Sequence, residues 1–202
     1  MTNQKKLKVA VTGGIGSGKT QFCNILKDLG YPVINADDLS KELLTKNADI
    51  RKQVLEAFGK ESFNESGPDR QYLASKVFSD PEKLILLNSI MHPAVIKKQR
   101  ELIIKEFQKS AIVFLEAALI YEADLEEDFD YVVLITADDN IKMERKLKLG
   151  MNQEEFIKRL NNQIPDSEKK NRADFVFINN GTEQELLSKA NLLVNILRGL
   201  TV

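Results

Sequence analysis

The 202-residue sequence predicts an α/β protein with a five-stranded parallel sheet flanked by helices. Three observations carry this. First, Gly13-Gly14-Ile15-Gly16-Ser17-Gly18-Lys19-Thr20 fits G-x-x-x-x-G-K-[ST], the phosphate-binding P-loop, between an apolar run and a helical pattern. Second, Ile112–Leu115, Tyr131–Ile135 and Phe175–Ile178 are continuous apolar runs, as strands buried on both faces require. Third, helical patterns separate the strands, so the connections are right-handed crossovers.

The first strand is Leu7–Val11, and Phe22, Ile25, Leu26 and Leu29 mark the helix after the loop. Gly30 and Pro32 stop that helix, and Val33-Ile34 reads as a short second strand. Asn35-Ala36-Asp37-Asp38 ends the strand and can cap a helix over Leu39 to about Lys46. A further helix runs from about Ile50 to Phe58 and stops at Gly59. Lys60–Asp80 is polar, with Gly67-Pro68 and Asp80-Pro81, so loops and short helices are expected there. Leu84, Leu87 and Met91 recur at helical spacing, and His92-Pro93 is expected to interrupt or restart the helix. Val95, Ile96, Leu102, Ile103 and Phe107 continue the helical pattern. The stretch before the last strand is basic and helical, with Lys142, Arg145, Lys146, Lys148, Lys158 and Arg159. Leu186, Leu187, Ala190, Leu193, Val194 and Leu197 line one face of the final helix.

Composition excludes several classes. A hydrophobic content of 43% with 29% charged residues suits a globular chain with one sizeable core. The net charge of −1 gives no electrostatic case for nucleic acid or membrane surfaces. No apolar run approaches the ~20 residues that span a bilayer, and Met1-Thr2-Asn3-Gln4-Lys5-Lys6 lacks a signal-peptide apolar region. Cys23, the sole cysteine, forms no internal disulfide and reads as packing. A cytoplasmic enzyme is expected.

The loop dictates its ligand. Its glycines turn successive N–H groups inward, and the helix after it adds the positive end of its dipole. Gly14, Ile15, Gly16, Ser17 and Gly18 should cradle phosphates, Lys19 should reach the β- and γ-phosphates, and the Thr20 hydroxyl should hold Mg²⁺. Ligands of such sheets sit beyond the carboxyl ends of the strands. That rule gathers the loop, Asp37, Glu116 and the stretch after Ile135. Asp37 can accept a proton from a substrate hydroxyl or simply cap a helix. The basic stretch is a candidate lid, or a solvated helix face.

Nearly the whole chain resembles the dephospho-CoA kinases. Val11–Lys19 is similar to that family's extended P-loop, Asn35-Ala36-Asp37 to its Asp-Ala-Asp, and Phe58-Gly59 to its Phe-Gly. Asp69-Arg70, Val77-Phe78-Ser79-Asp80-Pro81, Ile90-Met91-His92-Pro93 and Leu119-Ile120-Tyr121-Glu122 follow in the family's order. Arg159, Gln163, Lys169, Ala173-Asp174 and Asn180-Gly181 resemble its closing elements.

The resemblance implies transfer of the ATP γ-phosphate to the ribose 3′-hydroxyl of dephospho-coenzyme A, with Mg²⁺. It implies Lys19, Asp37 and Arg145 as catalytic, Asp37 being the general base and Arg145 the lid arginine. Thr12, Arg70, His92 and Glu122 join Asp37 on the acceptor side, Asn180 joins the nucleotide site, and Thr20 with Glu116 forms the metal site. One P-loop kinase domain is expected: a nucleotide core of residues 1–59 and 109–202, a helical acceptor-binding insert of about 60–108 and a lid of about 138–168. The expected partners are ATP and dephospho-coenzyme A, with no nucleic acid or membrane, and the chain acts as a monomer or small homo-oligomer.

The sequence departs from the family pattern at Asn35, Glu116 and Ala118, where the family carries aspartate, usually aspartate, and proline. The family's second lid arginine is also missing, Arg145 being followed by Lys146-Leu147-Lys148-Leu149-Gly150. Lys148 can substitute electrostatically, though without a bidentate phosphate contact. The alternatives are another small P-loop nucleotide or metabolite kinase, or a nucleotide-binding switch or adaptor without phosphotransfer. A GTPase is disfavoured because no Asn-Lys-x-Asp element follows a strand.

Overall fold

A computed structural model describes residues 4–78 and 80–202 of the chain. Residues 1–3, Ser79 and the side chain of Phe78 lie outside the described residues, and with them part of the Val-Phe-x-Asp-Pro element and of the N-terminal segment read above. The described chain groups into two compact units.

The first unit comprises the chain up to Asn35 and Ile103–Val202. Its strands are β1 (Leu7–Thr12), β2 (Val33–Asn35), β5 (Ile112–Glu116), β6 (Tyr131–Thr136) and β7 (Phe175–Ile178). They form one parallel sheet in the order β2-β5-β1-β6-β7. β1, β5 and β6 are almost wholly buried, which is why they read as unbroken apolar runs, while β7 at the edge alternates in burial. Helices α1 (Lys19–Asp28) and α9 (Glu183–Leu200) cover the sheet. Their Phe22, Cys23, Leu26, Leu186, Ala190, Leu193 and Leu197 pack against Val9, Val11, Phe114, Val133 and Ile135 in one core. The Thr182 side chain accepts the Glu185 N–H and caps α9. The basic stretch folds into α6 (Asp139–Lys148), α7 (Gln153–Asn161) and α8 (Asp166–Arg172).

The second unit, Ala36–Leu102, contains α2 (Ala36–Lys46), α3 (Ala48–Phe58), a hairpin of β3 (Phe63–Asn64) and β4 (Gly67–Pro68), α4 (Arg70–Phe78) and most of α5 (Pro81–Glu106). Ile50, Val54 and Phe58 of α3, Leu73 and Val77 of α4, and Met91 and Val95 of α5 form its own core. That packing draws α2 and α3 into the helical unit, so it starts at Ala36, upstream of residue 60. Asn47 caps α3 by accepting the N–H groups of Asp49 and Ile50, each at 3.0 Å. α5 runs unbroken through His92-Pro93, contrary to the interruption expected from the sequence. Met91 and Val95, on either side of Pro93, are both buried in the unit's core, and this tertiary anchoring outweighs the one lost backbone hydrogen bond. Among the described residues, no helix is long and apolar enough to cross a membrane.

Candidate active site

The cradle is built where β1 gives way to α1. Gly13, Gly16 and Gly18 adopt φ of +158°, +77° and +91°, so the last two lie in the left-handed region that side chains resist. Close approach fixes their identity as well. A Cβ on Gly18 would collide with Asn179 Nδ2, and one on Gly16 would come within 2.6 Å of the Lys142 carbonyl. The Ser17 N–H donates to the Gly14 carbonyl at 3.2 Å, and the Phe22 N–H to Gly18 at 3.0 Å, tying the turn to the first helical turn. Gly18→Ala should therefore distort the loop itself, because both its φ and its neighbour forbid a methyl group. We predict a nucleotide affinity reduced by at least about tenfold, measured by calorimetric titration with ADP.

Neighbouring elements hold the loop's shape. Arg145, on α6, donates from Nη2 to the Asn179 carbonyl at 2.9 Å and from Nη1 to the Gly16 and Ser17 carbonyls at 3.4 Å. The Asn179 amide, buried beyond the end of β7, donates to the same Ser17 carbonyl at 2.9 Å. Its neighbour Asn180 turns the other way and accepts the Asp138 N–H at 2.9 Å, pinning the exit of β6. Asn179 escaped the sequence reading, which placed its interest one residue later.

Glu116 ends β5. Strand register sets it beside Val11 of β1 and Asn35 of β2. Its carboxylate accepts the Thr20 hydroxyl at 2.5 Å and the Asn35 amide at 2.8 Å, while only 3% of the residue is exposed. Positions 35 and 116, both departures from the resembled pattern, are thus in direct contact: the Asn35 amide donates to this carboxylate, where an aspartate would face it with like charge. Burial, and next the nearby Glu116 carboxylate, push the Cys23 thiol well up, which keeps it protonated and inert at neutral pH. A hydroxyl and a carboxylate are hard oxygen donors, a set that suits Mg²⁺.

Cations gather on the opposite side. Lys142, nearly fully buried, pairs with Asp166 at 2.5 Å and Asp139 at 3.1 Å, and the Thr136 hydroxyl donates to the same Asp166 carboxylate. Burial, then the charges of Lys19 and Arg159, push the Lys146 ammonium down. Lys19, Lys146 and Arg159 thus bring like charges close enough to act on one another. Gln163, between α7 and α8, accepts the Ile15 N–H at 2.9 Å and so takes up one amide of the cradle. Glu122 accepts the Ile164 N–H at 3.0 Å and pairs at 2.7 Å with Lys169, which is fully buried. The Thr12 hydroxyl donates to the Ala118 carbonyl at 3.3 Å. The sequence-predicted residues Thr12, Gly14–Thr20, Glu116, Glu122, Arg145 and Asn180 therefore all fall within the first unit, around the carboxyl ends of β1, β5, β6 and β7.

The other three lie in the second unit. Asp37 is exposed in the first turn of α2. Arg70 opens α4, whose N–H of Tyr72 is capped by Asp69 at 2.8 Å, and it borders a polar depression of about 470 Å³ with Thr45, Asn64, Ser66 and Gln71. His92 is exposed midway along α5, so it caps no helix at Pro93.

The dephospho-CoA kinase family model matches residues 7–185. The dephospho-CoA kinase of Chlorobaculum tepidum is 35% identical over 193 residues, covering 91% of each chain. That of Chlamydia caviae is 37% identical over 197 residues, covering 96% of this chain and 97% of its own. Among solved structures, TT1252 of Thermus thermophilus superposes with a TM-score of 0.82 at 31% identity, over 98% of this chain and all of that one. The matched region takes in the cradle, the strand-end carboxylate and the cation-bearing helices alike, and the chain belongs to the dephospho-CoA kinase family.

Proposed function

We infer that the chain transfers the γ-phosphoryl group of ATP to the ribose 3′-hydroxyl of dephospho-coenzyme A, giving coenzyme A and ADP. The observation that carries this reading is the complete, braced P-loop within a family match spanning residues 7–185. The 3′-oxygen forms the new bond to the γ-phosphorus, the bond to the β–γ bridging oxygen breaks, and ADP leaves with that oxygen. Asp37 takes the proton of the 3′-hydroxyl. The amides of Gly14 to Thr20 hold the β- and γ-phosphates, with Gln163 releasing the Ile15 N–H as they enter. Lys19 neutralises charge on those phosphates, and Arg145 keeps the cradle in shape while adding a fixed positive charge.

Thr20 and Glu116 would hold Mg²⁺, directly or through water, and the ion would neutralise phosphate charge. Thr12, Arg70, His92 and Glu122 serve the acceptor, and Asn180 serves the nucleotide by fixing the loop at Asp138. We place this work in the cytoplasm, on small molecules alone, in a monomer or small homo-oligomer. Neither alternative is favoured: the intact Lys19, Thr20 and Asp37 speak against a switch without transfer, and the family match speaks against another acceptor.

The reading is tested by incubating the protein with ATP, Mg²⁺ and dephospho-coenzyme A and following the product by phosphorus NMR and mass spectrometry. Appearance of a 3′-phosphomonoester, one phosphoryl group heavier than the acceptor, is expected; ATP consumed with the acceptor unchanged would contradict it. Glu116→Gln keeps the side-chain size but removes the charge and one of the two acceptors. It should raise the half-saturating Mg²⁺ concentration by about tenfold or more, read from initial rates across a Mg²⁺ titration.

A further inference from the structure

The resemblance implies a second lid arginine after Arg145, and the stretch Lys146-Leu147-Lys148-Leu149-Gly150 has none. Lys148 is not its stand-in. Its ammonium pairs with Glu144 at 2.6 Å, one turn back on α6, and 72% of its side chain is exposed. Leu149 is 77% exposed and carries no charge.

Lys146 differs on each count. α6 lays the backbone of Lys142 against the P-loop, close enough that a Cβ on Gly16 would lie 3.0 Å from the Lys142 Cα. Arg145, three residues on, reaches the loop's carbonyls at Gly16 and Ser17. Lys146, four residues after Lys142, shares that loop-facing side of the helix. It is half-buried, and among the described residues its ammonium has no acid partner and donates no hydrogen bond. A half-buried ammonium without an acceptor is costly to keep unless a ligand supplies one. Burial and then the neighbouring charges of Lys19 and Arg159 depress it further, which places it in the same field as the lysine of the P-loop.

We propose that Lys146 supplies the second cation over the transferred phosphoryl group, contacting the γ-phosphate oxygens of the bound nucleoside triphosphate. This rests on the reading of the P-loop as the nucleotide site. Lys148 is held by an i−4 glutamate, and Lys146 is not. A lysine point charge suffices because Arg145 already supplies a planar fork nearby.

The test compares wild type, Lys146→Met, Lys146→Arg and Lys148→Met by steady-state kinetics and by thermal unfolding with no nucleotide, with ADP and with the non-hydrolysable triphosphate AMP-PNP. Lys146→Met should lower kcat by about 10²-fold with a smaller change in KM for ATP. Its Tm without nucleotide should equal or exceed that of wild type, since a repelled charge is gone. Its AMP-PNP shift should shrink while its ADP shift persists. Lys146→Arg should recover most of kcat, and Lys148→Met should lose less than Lys146→Met. A nucleotide-free Tm that falls together with both shifts would mark a structural lysine and overturn the assignment. So would a kcat in Lys146→Met within about threefold of wild type, or a larger loss in Lys148→Met. Unchanged wild-type-like shifts in Lys146→Met remove this assignment alone; no nucleotide shift in wild type removes the nucleotide site and the assignment with it.

Discussion

Asp37→Asn is expected to lower kcat by about 10²- to 10⁴-fold, the range a positioned general base contributes, while ATP affinity stays within about twofold of wild type. Asparagine nearly matches aspartate in volume and is equally at home in the first turn of a helix, so α2 should start at Ala36 as before. What it cannot do is accept a proton. Asp38, the carboxylate beside it, is exposed as well but is paired with Lys41 at 2.8 Å. Near-normal turnover in Asp37→Asn would remove the base assignment and leave Asp37 as a residue of the helix start. A matched fall in ATP binding would instead place Asp37 at the nucleotide.

Lys19→Ala should be nearly as damaging, but in a different pattern. Lys19 is the first residue of α1, and its ammonium is proposed to reach both phosphates between which the bond breaks. Its removal takes charge from ground state and transition state alike, so kcat/KM for ATP is expected to fall by about 10²- to 10³-fold, with affinity and rate both reduced. The apo protein should not suffer, because the charge of Lys19 opposes that of half-buried Lys146. Thermal unfolding separates the two effects: an unchanged or higher Tm without ligand, and a loss of the ADP-induced shift. A Tm lowered without ligand would show that the lysine holds the fold rather than the phosphate.

How much of this the sequence discloses depends on how local the cause is. The P-loop is legible because its constraint, a backbone turn that only glycine allows, is written in consecutive residues; the φ values of Gly16 and Gly18 are its physical content. The buried strands are legible for the same reason, since β1, β5 and β6 need apolar residues at every position. Long-range packing is not. Nothing near Pro93 announces that Met91 and Val95 are both anchored in the core of the helical unit, so a local rule broke α5 where the structure continues it.

The site shows the same division. Thr20 and Glu116 could each be named from motif and resemblance, but only strand register reveals that Asn35 and Glu116 stand side by side and hydrogen-bonded. Asn179 and Asn180 are identical neighbours beyond the end of β7, and successive side chains leave a strand in opposite directions. One braces Ser17 and the other holds Asp138, and no sequence signal tells which does which. The Lys142–Asp166 pair joins residues 24 apart, and a run of charges in sequence does not show which lysine is buried. Nor does it separate Lys146 from Lys148, which differ only in the side of α6 they occupy.

The acceptor dependence of ADP release decides whether dephospho-coenzyme A is the substrate. Purified protein with ATP and Mg²⁺ would be assayed in a coupled ADP-release assay against dephospho-coenzyme A, adenosine and AMP. Rapid ADP release is expected with dephospho-coenzyme A and little with adenosine or AMP, which lack the pantetheine-bearing part of the acceptor. Equal rates for all three, or release indifferent to any acceptor, would contradict it.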